Sequence, residues 1–309
     1  MINIEKNAPL APMSSFKIGG NADFYAEVKT VSELKEALKF AKENRLDFYV
    51  LGGGTNVLFS DKGFSGLIIR IRNERVKIEG NEVTAGAGAS LLGIVNAVAE
   101  AGLAGLESLA GIPGTLGGAV RGNAGAYGSE ISERIKSISV FDAKTSQEKE
   151  YGKEESEFGY RKSIFKKNKH LIIVSVSFVL EKGNSEELLQ KVKELLSKRN
   201  SSGLYGLKSA GSFFMNPEVS DEKLRSEFEK DTGQRLRGST IPAGWLIERA
   251  GLCGKKIGGA AVSEKHGNFL INADNATAEN VIILASFIKQ QIRSKFGVQL
   301  QEEVNYVGF

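Results

Sequence analysis

The stretch AGLAGLESLAGIPGTLGGAVRGNAGAYG, residues 101–128, holds nine glycines and only two charged residues, Glu107 and Arg121. Such a segment has too few side chains to pack a core of its own, so its backbone is the part that can serve a function. Glycine tolerates positive φ and carries no Cβ, which lets successive N–H groups form a concavity for an anion such as phosphate. The alternative is a set of tight turns between short strands, and glycine density alone leaves both open.

A second glycine turn, within FYVLGGGTNVLFS at residues 48–60, favours the phosphate interpretation. Its three glycines, Thr55 and Asn56 lie between two apolar runs that are typical of strands. The spacing is neither that of a Rossmann fingerprint, GxGxxG before a helix, nor that of a P-loop, GxxxxGK[ST]. Two unrelated phosphate loops in one chain indicate a pyrophosphate that is held from two sides.

Six stretches along the chain extend this interpretation. They are VLGGGTNVLFSDKGFSG, GLAGLESLAGIPGTLGGAVRGNAGAYG, FGYRKSIFK, SAGSFFMNP, AGWLIERAGLCGKKIGGAAVSEKHGNFLIN and LQEEVNYVG. In this order, and over residues 15–308, they resemble the signatures of the UDP-N-acetylenolpyruvoylglucosamine reductase family, flavoenzymes of bacterial peptidoglycan synthesis. The resemblance implies an α+β fold in which a two-part FAD-binding domain of the PCMH/vanillyl-alcohol-oxidase type precedes a C-terminal α+β substrate domain.

Periodicity and capping signals place the secondary structure. A capping box at Thr30 and Glu33 begins one of the predicted helices, and Gly80-Asn81 joins a hairpin. Helices are predicted at 30–44, 90–101, 186–199 and 278–296, and strands at 66–71, 75–79, 82–85, 135–141 and 171–180. We place the main boundary before the third helix. The predicted domains are an FAD-binding domain, 1–183, with subdomains 1–66 and 67–183, and a substrate-binding domain, 184–309.

Composition limits the other classes of function. The chain has 309 residues, one cysteine, two histidines and a net charge of +4. It therefore has no internal disulfide and few candidates for a zinc site or a Ser-His-Asp triad. Its interspersed charges do not resemble a nucleic-acid footprint, and neither a signal peptide nor an apolar run of membrane length is evident. We expect a cytoplasmic monomer without a metal, a membrane anchor or a nucleic-acid partner.

Arg161, in FGYRKSIF, is the first candidate catalytic residue. Its guanidinium is always charged, so it can stabilise negative charge that develops on a substrate. Taken alone it would be a surface arginine among lysines, but the resemblance places an active-site arginine here. The neighbouring Tyr160 is predicted to bind substrate, with packing near the flavin or in the core as open alternatives.

Ser212, in SAGSFFMNP, would ordinarily be a turn serine whose hydroxyl bonds to the backbone. The resemblance assigns it the role of proton donor to the carbon next to the substrate carboxylate, a role that needs a neighbouring polar relay. Asn216 is predicted to bind substrate. The chain departs from the family pattern at Met215, where a lysine is common, so Lys208 is an alternative contact for the substrate phosphates.

Glu303, in LQEEVNYVG, lies six residues before the last residue of the chain, where an exposed acid is usually solvated. The resemblance gives the glutamate before the valine an active-site role, and this register selects Glu303 over Glu302. The carboxyl group can bond the substrate carboxylate if it is protonated, or orient Arg161 if it is ionised. His266, in SEKHGNF, is interpreted as a structural turn residue.

FAD suits both glycine loops, because it brings a pyrophosphate and because hydride chemistry requires an organic redox cofactor. The loops contain no histidine or cysteine, so the predicted attachment is non-covalent. By resemblance, the predicted FAD contacts are Gly52, Gly53, Gly54, Thr55, Asn56, Gly111, Thr115, Gly117, Gly118 and Asn123.

The resemblance implies that NADPH is the co-substrate that reduces FAD, after which hydride passes to the vinyl carbon of UDP-N-acetylglucosamine enolpyruvate. Arg161 and Glu303 then stabilise the carboxylate and Ser212 protonates the α-carbon, which gives UDP-N-acetylmuramate. The helix predicted at 186–199 leads directly to SAGSFF, so the shorter family subtype is expected. One rival is another oxidoreductase of this FAD fold with oxygen as acceptor. A second rival is a non-catalytic nucleotide-binding protein.

Overall fold

The structure is a computed structural model that describes residues 2–201, 203–236 and 238–309. Strands and helices are interspersed along the chain. The strands are β1 (Ile4–Pro9), β2 (Asn21–Val28), β3 (Asp47–Leu51), β4 (Val57–Phe59), β5 (Phe64–Ile71), β6 (Val76–Glu79), β7 (Glu82–Gly86), β8 (Leu103–Ala104), β9 (Gly125–Ala126), β10 (Ser129–Glu130), β11 (Ile135–Asp142), β12 (Gln147–Tyr151), β13 (Leu171–Val179), β14 (Glu181–Lys182), β15 (Ser209–Ser212), β16 (Lys256–Ile257), β17 (Ala260–Val262), β18 (Phe269–Asn272) and β19 (Asn305–Val307). The α-helices are α1 (Val31–Glu43), α2 (Leu91–Glu100), α3 (Leu116–Arg121), α4 (Ile164–Lys167), α5 (Ser185–Ser201), α6 (Glu222–Thr232), α7 (Ala243–Arg249) and α8 (Ala278–Phe296).

The chain divides into two compact units, neither of which is a single stretch of sequence. Unit 1 contains Met1–Ala8, Ala22–Gly54 and Phe64–Ser202, and unit 2 contains Pro9–Asn21, Thr55–Gly63 and Gly203–Phe309. Two short N-terminal segments thus belong to the same unit as the C-terminal third. The predicted domains, 1–183 and 184–309, concern which residues bind FAD and substrate, and that functional division stays a prediction.

Unit 1 contains two main sheets. In the first, of order β1-β2-β5-β3, both β2 and β3 run parallel to β5. Strand β5 is apolar along Leu67–Ile69 and these residues are fully buried, as expected of a central parallel strand. The second sheet, of order β12-β11-β13-β7-β6, is antiparallel throughout. One apolar core joins both sheets to α1 and α2.

Several sequence-based elements of unit 1 are confirmed. Helix α1 begins at the predicted capping box, in which Thr30 accepts from the N–H of Glu33 and the Glu33 side chain accepts from the N–H of Thr30. Strands β6 and β7 form the predicted hairpin, with Glu79 opposite Glu82. Helix α3, inside the glycine-rich stretch, was not predicted.

Unit 2 is built around the long helix α8 and a four-stranded sheet of order β15-β18-β17-β16. Helix α8 has the predicted bounds, with Thr277 as its N-cap and Gly297 in the left-handed conformation at its C-terminus. Asp61, from the segment after β4, accepts the N–H groups of Ala278 and Glu279 at 2.8 and 3.2 Å. Strand β4 pairs in parallel with β19, so the end of the chain is fixed within this unit.

Candidate functional site

The two glycine loops of unit 1 pack directly against each other. A Cβ added to Gly52 would lie 2.6 Å from Oγ1 of Thr115, and one added to Gly53 would lie 2.8 Å from Cα of Gly114. Both distances are too short for real atoms, so no larger residue fits at either position without a shift. The two loops therefore contact each other within unit 1, and the pyrophosphate between them stays a prediction.

Helix α3 begins at Thr115 and uses its first amides to dock on the chain after β7. The N–H of Leu116 donates to the carbonyl of Ala89 at 2.9 Å, and that of Gly117 donates to the carbonyl of Ala87 at 2.8 Å. The third amide, of Gly118, lies 3.9 Å from the position that a Cβ of Gly52 would occupy. Glycine is a poor helix former, which explains why this helix was not predicted from the sequence.

An open pocket borders these loops, and its empty space of about 670 Å³ includes solvent at its mouth. Its walls are mostly apolar, and two cationic side chains, Arg121 and Lys169, reach it. Burial raises the pKa of Tyr49, and the charge of Arg121 partly opposes that shift. The residues that line the pocket are Phe48, Tyr49, Val50, Leu51, Gly52, Ile71, Ala87, Thr115, Gly117, Gly118, Arg121, Phe165, Lys169, Leu171, Ile172 and Ile173.

The pocket fits an anionic dinucleotide such as FAD. Within the part of the chain that the structure describes, the hydroxyl of Thr115 is buried and has no hydrogen-bond partner, which a bound ligand would supply. Gly52, Thr115, Gly117 and Gly118, all predicted FAD contacts, line the pocket. Pocket residues that sequence reasoning missed include Arg121, whose charge in a glycine-rich stretch was the available signal.

The other predicted FAD contacts are placed differently. Gly54 has a φ of 68°, in the region that favours glycine. Thr55 and Asn56 fall in unit 2. Gly111 has a φ of 76°, and a Cβ there would lie 2.6 Å from Cδ of Arg199. The positive φ favours glycine at position 111, and the Arg199 side chain of α5 borders it.

Asn123 is fully buried, and its side-chain amide bonds to protein groups. Its Nδ2 donates to a carboxylate oxygen of Glu130 at 2.6 Å and to the carbonyl of Gly159 at 3.0 Å. Its Oδ1 accepts from the N–H of Ser132 at 3.4 Å. An FAD contact through this amide would replace one of these bonds, so that contact stays a prediction.

Arg161 lies two residues after Gly159, whose carbonyl accepts from the Asn123 amide. Its guanidinium donates to the carbonyls of Asn123 and Gly125 at 3.5 and 3.4 Å and lies 5.3 Å from the ring centroid of Tyr160. Its φ of 55° is unusual for a residue with a long side chain, and such strain is often found at functional sites. Tyr160 is 43% exposed, which corrects the alternative of a core tyrosine.

Ser212 ends β15 in unit 2 and is exposed, whereas the two phenylalanines that follow it are buried. It pairs with Phe269, and Ser209 pairs with Ile271, so β15 carries one extra residue between these pairs. Gly211, within this bulge, has a φ of 76°. Bulges re-aim the side chains that follow them, and here the bulge precedes the predicted proton donor.

Glu303 lies on the segment next to Ser212. Its N–H donates to the carbonyl of Phe213 at 2.8 Å. Asn56 holds the same residue from the other side, because its Nδ2 donates to the carbonyl of Glu303 at 3.3 Å. Asn56 therefore acts within unit 2 on the segment that carries the predicted glutamate. The neighbouring Glu302 forms an ion pair with Lys289 at 2.9 Å.

Two substrate predictions remain. Asn216 is predicted to bind substrate, and Lys208 is the alternative phosphate contact because Met215 occupies a position where a lysine is common. Oδ1 of Asn216 accepts from the N–H of Ala243 at 3.0 Å, so this amide helps to begin α7. The N–H of Met215 donates to the carbonyl of Gln301 at 2.9 Å. Lys208 is exposed, and its carbonyl accepts from the N–H of Asn272 at 2.8 Å.

Across the described ranges, no helix is both long and apolar enough to cross a membrane. Within the same ranges, no three His, Cys, Asp or Glu side chains cluster as they would around a metal ion.

Comparison with known proteins identifies both parts of the chain. Residues 22–148 match the model of the FAD binding domain family, and residues 203–307 match that of the C-terminal domain of UDP-N-acetylenolpyruvoylglucosamine reductase. A curated relative of that name from Solibacter usitatus is 38% identical and covers 99% of this chain and 97% of its own length. Another, from Carboxydothermus hydrogenoformans, is 40% identical and covers 98% of this chain and 93% of its own length.

The same similarity extends to a solved structure. UDP-N-acetylenolpyruvylglucosamine reductase from Thermus caldophilus is 31% identical, with a TM-score of 0.78, and the match covers 99% of this chain and all of that chain. The predicted α+β class with an FAD-binding domain is confirmed.

Proposed function

We propose a function for this chain from one premise, that it belongs to the UDP-N-acetylenolpyruvoylglucosamine reductase family. It is an FAD-dependent oxidoreductase that reduces UDP-N-acetylglucosamine enolpyruvate to UDP-N-acetylmuramate with NADPH, a step of peptidoglycan precursor synthesis. The observation that carries this conclusion is similarity to enzymes of that name along almost the entire chain. FAD, when bound, supplies the hydride chemistry that protein side chains lack.

The chain's own residues would hold FAD without a covalent bond. The glycine loops at 52–54 and 114–118 bring backbone groups close to the pocket, and Thr115 offers a buried hydroxyl. Arg121 and Lys169 bring positive charge that complements a pyrophosphate. The predicted contacts from Gly54, Thr55, Asn56, Gly111 and Asn123 are part of the same proposal.

Arg161 would stabilise the negative charge that develops on the substrate carboxylate. A guanidinium that is already held by the carbonyls of Asn123 and Gly125 needs little reorganisation when that charge appears. Tyr160, which packs under the guanidinium and is exposed, would contact the substrate. These features support the assignment made from sequence.

Ser212 would donate the proton to the α-carbon, and Glu303 would act on the substrate carboxylate. Both lie on neighbouring segments of unit 2, joined by the bond between the N–H of Glu303 and the carbonyl of Phe213. Asn216 would bind substrate. At Met215 the chain offers no cation, so Lys208 is the proposed contact for the substrate phosphates.

The rest of the proposal concerns the state of the protein. We expect a cytoplasmic monomer that does not bind membranes. We also expect no nucleic-acid partner, because its charges are interspersed and its net charge is small. We also keep the functional division into residues 1–183, with subdomains 1–66 and 67–183, for FAD and residues 184–309 for substrate.

The test is the stoichiometry of the anaerobic reaction. Purified protein with FAD should oxidise one NADPH for each enolpyruvyl sugar consumed, and mass spectrometry should show a product heavier by two hydrogen atoms. Rejection of NADPH, together with reduction of the flavin by an alcohol, would favour the rival oxidoreductase. Binding of the sugar without any flavin would favour the non-catalytic rival.

A further inference from the structure

Asn268 is a buried residue outside the predicted site, and it lies against the residues that follow Ser212. It is 3% exposed and directly precedes β18. A buried amide costs free energy unless its donors and acceptors are paired. The partners of Asn268 therefore identify the part of the chain that it supports.

Three hydrogen bonds join Asn268 to Phe213 and Phe214. The N–H of Phe213 donates to the backbone carbonyl of Asn268 at 2.8 Å. The N–H of Phe214 donates to Oδ1 at 2.9 Å, and Nδ2 donates to the carbonyl of Phe214 at 2.8 Å. The side chain thus pairs with both backbone polar groups of Phe214, as a neighbouring strand would.

His266 supports Asn268 in turn. The N–H of Asn268 donates to Nδ1 of His266 at 3.1 Å, which requires an imidazole without a proton on that nitrogen. The ring lies against Gly244, where an added Cβ would be 2.5 Å from Cε1, and its centroid is 5.2 Å from that of Phe269. The partly exposed imidazole therefore contacts both α7 and β18.

The opposite edge of the same segment is also fixed. The carbonyl of Phe213 accepts from Glu303 at 2.8 Å, and the N–H of Met215 donates to Gln301 at 2.9 Å. The segment 213–215 is thus hydrogen-bonded along both edges. Ser212, directly before it, is exposed. Such a segment fixes the direction in which Ser212 projects.

We propose that Asn268, supported by His266, is a positioning residue that fixes Ser212 for proton donation. The inference rests on the proposed role of Ser212. Removal of the Asn268 amide would leave the N–H and carbonyl of Phe214 buried without partners, so the segment would shift to find new ones. A shift of about 1 Å from the reacting geometry costs on the order of 100-fold in rate.

The test compares Asn268→Ala with Asn272→Ala in the FAD-loaded enzyme. Asn272 is a matched control, because it is a buried asparagine of β18 whose amide bonds to Phe16 and Ala276. We expect both variants to lose similar thermal stability and to keep NADPH-driven flavin reduction. Only Asn268→Ala should slow reoxidation by saturating enolpyruvyl substrate, by about 10-fold to 100-fold, with little change in substrate affinity.

Two readouts separate positioning from general loss of stability. The solvent deuterium isotope effect on reoxidation should rise in Asn268→Ala, because a misplaced donor makes proton transfer limit the rate. Amide exchange at Phe213 and Phe214 should accelerate in that variant and not in Asn272→Ala. Equal reoxidation rates and equal isotope effects in the two variants would overturn the proposal.

A second pair of variants covers the case in which Asn268→Ala does not fold. His266→Ala removes the acceptor for the N–H of Asn268, and His266→Asn offers a side-chain oxygen in its place. We expect the first to slow reoxidation several-fold and the second to restore most of the rate, whereas equal rates would contradict the proposal. If Ser212→Ala itself leaves reoxidation fast, the proposed function of Ser212 fails instead.

Discussion

The two regions that carry the predicted chemistry are built in opposite ways. The glycine loops of unit 1 approach each other because side chains are absent, and added Cβ atoms at Gly52 and Gly53 would lie within 3 Å of the facing loop. The segment after Ser212 in unit 2 is instead held by an added side chain, the buried amide of Asn268. The first arrangement suits a large ligand that must lie against the backbone, and the second suits one hydroxyl that must point in one direction. Substitutions should therefore change cofactor affinity in the first region and the rate of one step in the second.

The largest expected effect is that of Ser212→Ala. Loss of the donor should slow substrate-driven reoxidation by about 1,000-fold, since general acid catalysis contributes about 10²–10⁴-fold. Flavin reduction by NADPH should stay near the wild-type rate, and rapid-mixing absorbance measures both steps. Ser226→Ala, at an exposed position of α6, serves as the control and should reoxidise normally. Wild-type reoxidation in Ser212→Ala would show that Ser212 is not the donor.

The next largest expected effect is that of Glu303→Ala, compared with Glu302→Ala. Glu303→Ala should slow reoxidation by about 100-fold, as expected for loss of a group that stabilises developing charge. Glu302→Ala breaks only a partly exposed ion pair with Lys289, which is worth about 1 kcal/mol or less, so its rate should change little. Rapid-mixing absorbance measures both reoxidation rates. A slower rate in Glu302→Ala than in Glu303→Ala would refute the assignment of the active-site role to Glu303.

Gly118 in α3 and Gly122 at its C-cap extend the comparison to the cofactor side. A Cβ on Gly118 would meet nothing in the protein closer than 3.6 Å, so Gly118→Ala should keep or raise the stability of the FAD-free protein. It should nevertheless lower FAD affinity by about 10-fold, because the new methyl group enters the space where a ligand approaches the backbone. Fluorescence titration with FAD measures this. Gly122→Ala, one turn further, is the control, and equal affinities in the two variants would contradict direct contact at Gly118.

The smallest expected effect is a dependence of the free energy of unfolding on pH, which arises from His266 beside Asn268. Burial lowers the pKa of His266, and the nearby carboxylate of Glu248 partly opposes that shift. The unfolded chain therefore binds the proton more readily than the folded one. This contribution to the free energy of unfolding is complete above about pH 6.5 and declines as the pH falls below it, by at most about 1.4 kcal/mol per pH unit.

Urea denaturation of the wild type and of His266→Asn between pH 5 and pH 8 measures this contribution. The variant should lose less stability than the wild type on acidification. Parallel curves for the two proteins would show that His266 does not titrate in this way.

Local signals in the sequence predicted much of the fold. Capping residues gave the start of α1 and both ends of α8, and the Gly80-Asn81 turn gave the β6–β7 hairpin, because each depends on residues close in sequence. Helix α3 was missed because its glycines disfavour helix and only docking on Ala87 and Ala89 stabilises it. The discontinuous units were missed because β4 pairs with β19 across almost the whole chain.

The candidate site was predictable in part. The pocket beside the glycine loops agrees with the expectation of a phosphate-binding region, since glycine content is visible in the sequence. The supporting asparagines were not predictable in their roles. Asn56, Asn123 and Asn268 each hold a backbone group far away in sequence, and an asparagine in a loop gives no sign of its distant partner. Asn56 and Asn123 were predicted to contact FAD, and their observed bonds assign their amides to protein partners.

The central claim is that one chain takes electrons from NADPH through FAD and delivers them to an enolpyruvyl sugar. The visible absorption spectrum of the purified protein, followed anaerobically, tests it most directly. Flavin bands should be present, bleach when NADPH is added, and return when UDP-N-acetylglucosamine enolpyruvate follows. A colourless protein that takes up no added FAD, or a bleached flavin that the sugar leaves reduced, would contradict the account.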